Sequence, residues 1–165
     1  MNIKSILFPT DFSEYNDAAL EYASRLASES HATLHLVHVH DTRDLSTAMG
    51  EASYLYASKW EEERHRAERR LKRIVPPDPS VAFEHHSLMG LPDAEIVGFA
   101  NEQKIDLIVM ASHGRTGLSR LMMGSIAEGV MRKAHCPVLI VKQPHTEDGP
   151  KVGNPTLSIE TGLLT

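Results

Sequence analysis

The stretch "IDLIVMASHGRTGLSRLMMGSIAE", residues 105–128, decides the fold. It opens on a run, Ile105 to Ala111, that is apolar at consecutive positions after Asp106. A strand that is apolar on both faces is buried on both faces, as in a parallel sheet covered by helices. The run passes into a loop carrying Gly114, Gly117 and Gly124. A helix follows over about 125–134, with Ile126, Ala127, Val130 and Ala134 inward. Between Leu107 and Ala127 there is no Asp or Glu, while Arg115 and Arg120 are present. A helix N-terminus offers unpaired N–H groups and partial positive charge, and glycines let backbone approach an anion with no Cβ in the way. By composition alone, a phosphate site and a plain surface loop with turn glycines and solubilising arginines stand about even.

Working outward, the same alternation repeats. "IKSILFP" (3–9) reads as a buried strand, and Asp11 and Ser13 after it are helix-capping types. Ala19, Ala23, Leu26 and Ala27 recur at helical spacing between Asn16 and Ser30. "ATLHLVHVH" (32–40) is a second strand, closing at Asp41, and residues 42–52 are a polar connection. A helix over about 53–75 carries Tyr56, Trp60, Ala67, Leu71 and Ile74 on one stripe. Its opposite face is charged, with Glu62–Arg66 and Glu68–Lys72 spaced for i,i+4 pairing. "PPDP" (76–79) stops it. "VAFEHHSL" (81–88) is a third strand, and "PDAEIVGFANEQ" (92–103) a helix with Pro92 in its first turn. "CPVLIVK" (136–142) is the fifth strand. Strand and helix alternate throughout, which predicts an α/β fold: an open, doubly wound, parallel five-stranded sheet with helices on both faces, Rossmann-like in its winding. Ligands of such sheets bind outside the carboxyl ends of the strands, where the strand order reverses. Residues 1–142 read as one domain. Residues 143–165, rich in Gly, Pro and polar side chains, read as a flexible C-terminal tail.

Bulk properties narrow the partners. The chain has 165 residues, 41% hydrophobic and 24% charged, with a net charge of −5. That charge gives no reason to expect nucleic acid or an anionic membrane, so an anion must be held locally. Cys136 is the single cysteine, which rules out an internal disulfide and a cysteine-based zinc framework. The apolar stretch near the N-terminus is too short for a signal h-region or a membrane span, and the expected location is the cytoplasm. There is no G-x-x-x-x-G-K-S/T, no G-x-G-x-x-G after the first strand, no H-E-x-x-H and no G-x-S-x-G.

Four segments in order, "ILFPTDFSE", "LVHVHD", "DLIVMASHGRTGLSRLMMGSIAE" and "CPVLIVK", resemble the universal stress protein family over residues 3–142. The resemblance implies the adenine nucleotide alpha hydrolase-like version of the fold. Its nucleotide-binding branch carries G-x2-G-x9-G-S/T, a register that falls here on Ala111, Gly114, Gly124 and Ser125. Carried over position by position, the resemblance implies that Asp11, beside Pro9 and Thr10, lies at the adenosine end. Val39 borders adenine and Met110 lines the nucleoside. Gly114, Gly124 and Ser125 face the phosphates, and Ile126 follows them at the helix start. The chain departs from the pattern at Ala111, which replaces the first glycine, and at Ala127, where binders often show a hydroxyl. Alanine at 111 costs about 1–2 kcal/mol only if the backbone there must be left-handed.

The resemblance implies ATP, or AMP or ADP, as the ligand, with magnesium carried by the phosphates, in a regulatory or stress-protective protein. A slow ATPase and a nucleotide-free interaction protein are the alternatives. No candidate base or nucleophile stands beside the loop, so no catalytic residue is assigned. His38 and His40 share a strand face and His113 lies in the loop, but spacing supplies no further ligand, and no protein-only metal site is expected. His85 and His86 point to opposite faces and read as packing plus solvent. Cys136 reads as a small buried hydrophobe, and Met110, Met122 and Met123 as adenine lining or core. A receiver domain is set aside because the third strand ends without an aspartate. The fifth strand is expected at a sheet edge, and the resemblance implies a homodimer through 137–142; the alternative is that the tail 143–165 folds back over that edge in a monomer.

Overall fold

The computed structural model describes residues 2–43, 57–112 and 123–142 in full, and residues 53–56 by their backbone. Among the described residues the elements run β1 (Ser5–Pro9), α1 (Asn16–Ser30), β2 (Thr33–Asp41), α2 (Ser53–Leu71), β3 (Phe83–Gly90), α3 (Pro92–Glu102), β4 (Leu107–Ala111), α4 (Ser125–Lys133) and β5 (Val138–Val141). All neighbouring strands pair parallel in the order β3-β2-β1-β4-β5. The order reverses between β1 and β4, so the switch point lies beside the central strand. β5 lies at the edge, as expected.

Successive strand side chains alternate between two apolar layers. Ile6, Phe8, Leu34, Leu36, Val109 and Ala111 face one way, against Ala19, Ala23 and Ala27 of α1 and Leu71 of α2. Leu7, Val37, Ile108 and Met110 face the other way, against Ile96 and Phe99 of α3 and Ala127 and Val130 of α4. The alanines of α1 let its backbone lie close on the central strands. Gly129 does the same between α3 and α4: a Cβ there would sit 2.8 Å from an Asp93 carboxylate oxygen. Asp93 also takes Lys133 at 2.6 Å, which ties the two helices together.

Several local expectations are corrected. α2 ends at Leu71 rather than near 75, because the chain tightens to i→i+3 bonds (Arg73 N–H to Arg70 O, 3.0 Å; Ile74 N–H to Leu71 O, 3.0 Å) and Val75 precedes a proline. β3 runs two residues later than 81–88 at both ends. Neither Asp11 nor Ser13 caps α1, whose N-cap position is Tyr15 with no side-chain cap. On α2 the ion pairs are Arg64 with Glu61 (2.7 Å) and with Glu68 (2.8 Å), in place of the Glu62–Arg66 and Glu68–Lys72 pairs that spacing offered.

Candidate functional site

The carboxyl ends of β1, β2 and β4 open into a cavity of about 650 Å³, within the usual range for small-molecule sites, about 300–1,000 Å³. Its floor is Pro9, Thr10 and Asp11 from β1 and the turn after it, Val37 to Asp41 from β2, and Met110, Ala111 and Ser112 from β4. Gly124, Ser125, Ile126 and Ala127 form one wall. Trp60, Glu63, Arg64, Arg66, Ala67 and Arg70 of α2 form the wall opposite.

The turn after β1 is held by its own side chains. Thr10 Oγ1 accepts the Phe12 N–H (3.0 Å), and Asp11 Oδ1 accepts the Ser13 N–H (3.0 Å) and the Asn16 side-chain amide. Phe12 has a left-handed backbone (φ 64°), uncommon for an aromatic residue. It is pinned between the His38 ring (centroids 4.3 Å apart) and the Arg70 guanidinium (4.5 Å), and Arg70 also donates to the Phe12 carbonyl (3.1 Å). Asp11 and Ser13 are therefore spent on shaping the cavity rim, which is why they do not cap α1.

At the other wall, the Gly124 N–H donates to the Ser112 carbonyl at 2.9 Å. The two ends of the glycine-rich segment thus meet at one point of the rim. Gly124 is the N-cap of α4 (φ −61°, ψ 144°), and the first intrahelical bond is Glu128 N–H to Gly124 O, 3.0 Å. The amides of Ser125, Ile126 and Ala127 are those a helix start leaves without an intrahelical acceptor, and all three residues line the cavity. Ala111 is the last residue of β4 and is not among the positive-φ residues, so its methyl needs room and carries no left-handed strain.

The histidines on the floor are engaged. His38 Nδ1 donates to the Thr10 carbonyl at 2.8 Å, and His40 Nε2 pairs with Ser87 Oγ at 2.8 Å. Burial lowers the His40 pKa; Glu68 pulls it up and Arg64 pushes it down. Asp41 is held below the usual carboxylate range by hydrogen bonds from Arg43. Away from the cavity, Cys136 is half-buried against the α3–α4 layer, and burial pushes its thiol up.

Of the predicted residues, Pro9, Thr10, Asp11, Val39, Met110, Ala111, Gly124, Ser125 and Ile126 come together around this cavity. Gly114, together with His113, Arg115, Gly117, Arg120 and Met122, lies outside the described residues. Sequence reasoning missed the α2 wall. Glu63, Arg66, Ala67 and Arg70 recur at helical spacing, so one helix face was legible, but nothing local said that it overhangs the strand ends.

Fold and cavity together define a parallel α/β protein with a cavity at the switch point, a helix N-terminus on one side and arginines on the other. The chain belongs to the universal stress protein family, whose family model matches residues 2–142. It is 38% identical over 145 residues to "Universal stress protein MJ0531" of Methanocaldococcus jannaschii, covering 87% of this chain and 85% of the relative. It is 31% identical over 157 residues to "Universal stress protein MJ0577" of the same organism, covering 87% and 97%. The solved structure of MJ0577 superposes with a TM-score of 0.71 at 32% identity, covering 88% of this chain and all (100%) of that one. A universal stress protein crystallised in complex with cAMP shares the fold, with a TM-score of 0.56 at 24% identity, covering 86% and 98%. Among the described residues no helix is long and apolar enough to cross a membrane.

Proposed function

We propose that this chain binds an adenine nucleotide, ATP foremost, in the switch-point cavity and acts through its bound state as a regulatory or stress-protective factor. The observation that carries this is the pairing of an apolar half and an anion-seeking half in one cavity. Val37, Val39, Met110, Ile96 and Ile126 supply flat apolar lining, with Asp11 on the rim for ribose hydroxyls. The α4 amides supply donors for phosphate, with Arg66 and Arg70 across from them. Gly114, Gly124 and Ser125 hold the phosphates, and magnesium arrives on those phosphates without a dedicated protein ligand. Support from outside the chain is the cAMP complex of one fold relative. No residue is assigned a catalytic role.

The same reading takes the protein as cytoplasmic, with 1–142 as the working domain and 143–165 as an appended tail. It pairs two copies through β5, whose outer side has no neighbouring strand among the described residues. The nucleotide is tested by denaturing freshly purified protein and weighing the small molecules released. ATP, ADP or AMP near one per chain is expected. A nucleotide-free preparation that also shows no saturable ATP binding by calorimetry overturns the proposal and leaves a nucleotide-free interaction protein.

A further inference from the structure

A second cluster lies at the opposite end of the sheet. His35 is the third residue of β2, and its register partner on β3 is Glu84; Val37, two residues on, pairs with His86. Alternation puts His35, Glu84 and His86 on one sheet face, the face covered by α3. Phe99 of α3 packs on both rings, with centroids 6.0 Å from His35 and 4.7 Å from His86. His35 Nδ1 and His86 Nε2 share a hydrogen bond at 3.1 Å, whose proton a bound cation would replace, and Glu84 Oε2 lies 3.7 Å from the first and 3.5 Å from the second. Zinc bound to nitrogen and oxygen at about 2.0–2.1 Å with tetrahedral angles requires ligand atoms about 3.3 Å apart. The three separations, 3.1, 3.5 and 3.7 Å, bracket that value.

From this we infer that His35 Nδ1, His86 Nε2 and Glu84 Oε2 form a binding site for one transition-metal dication of the zinc type, independent of the nucleotide cavity. Two imidazoles and one carboxylate are a ligand set that suits zinc and its neighbours over magnesium or calcium. Each ring binds with its single proton on the other nitrogen. In His35 that is Nε2, which pairs with Ser5 Oγ at 3.0 Å; with Nδ1 on the ion, Nε2–H would donate to that hydroxyl, the kind of outer hydrogen bond that fixes a ligating histidine's tautomer. His35 is buried, while the Glu84 side chain is 61% exposed, so water reaches the cluster from the Glu84 side. The ion would clamp edge strand β3 to β2.

The test uses full-length protein stripped with a chelator and titrated with zinc alone, read by competition with a chromophoric chelator. Glu84→Gln and His86→Asn both change half-exposed or exposed side chains. We expect one equivalent bound at micromolar affinity or tighter. Each variant should lose more than the about 10–100-fold that removing an outer partner alone costs. Cobalt in the same site should show visible bands of a low-coordinate nitrogen and oxygen ligand set, absent from both variants. Millimolar binding by the parent overturns the inference, and so does unchanged zinc affinity in either variant. ATP affinity without zinc should be equal in parent and variants, which separates this test from that of the nucleotide reading.

Discussion

Gly124→Val puts the phosphate-binding proposal at most direct risk. Gly124 holds φ −61° and ψ 144°, a backbone any L residue adopts, so valine adds bulk without forcing the chain. Its fold cost is the loss of a tolerated N-cap residue, at most about 1 kcal/mol. Its ligand cost is larger. Gly124, Ser125 and Ile126 line the same wall of the cavity, so two added γ-methyls would compete for the space in which a phosphate oxygen must come within hydrogen-bond distance of those amides. A hydrogen bond to a charged group contributes about 1.5–3 kcal/mol. Losing one such bond weakens binding about 10–150-fold, and losing two removes measurable binding from a micromolar site. Calorimetric titration with ATP, beside a thermal melt without ligand, separates the two costs. A variant that melts near the parent and binds ATP with unchanged affinity would refute the assignment of the phosphates to the start of α4.

Ala111→Gly should bind ATP as well as the parent or more tightly, because the position needs only room; clear weakening in a calorimetric titration would mean that the glycine register does not apply. Val138→Lys with Ile140→Lys should convert a dimer to monomers by light scattering, since β5 is the sheet edge and its Leu139 is already 38% exposed. A parent that scatters as a monomer, or a dimer that survives both lysines, removes β5 as the interface. Burial depresses the His40 pKa, with His38, Ser87, Trp60, Arg64 and Glu68 around the ring. The unfolded chain therefore binds the extra proton first, and His40 stabilises the fold at pH 7 but loses that contribution as pH falls below about 6.5 toward its folded value. His40→Gln should flatten that part of the acid slope in urea melts, and an identical slope would show that His40 is not its source.

What depends on local period was legible in the residues. An apolar run such as Leu107–Ala111, bracketed by helices, has no stable home except inside a covered parallel sheet, and five strands alternating with helices leave little choice of winding. The glycine register carried Gly124 and Ser125 to the start of α4, because a strand–loop–helix connection places its helix N-terminus in the same way wherever it occurs. The edge position of β5 followed from the winding. Which faces overhang and which registers meet depended on long-range packing. Arg66 and Arg70 reach the cavity because Leu71 is anchored in the α1 layer, which swings one exposed face of α2 over the ends of β1 and β2. Asp11 and Ser13 were legible as caps, yet the rim turn claimed them, since Phe12 is wedged against a histidine and an arginine distant in sequence. His35, Glu84 and His86 face one another only because β2 and β3 pair in one particular register. Slipping that pairing by a single residue would turn Glu84 and His86 to the opposite face, and no local pattern encodes a register set by the packing of two segments about fifty residues apart.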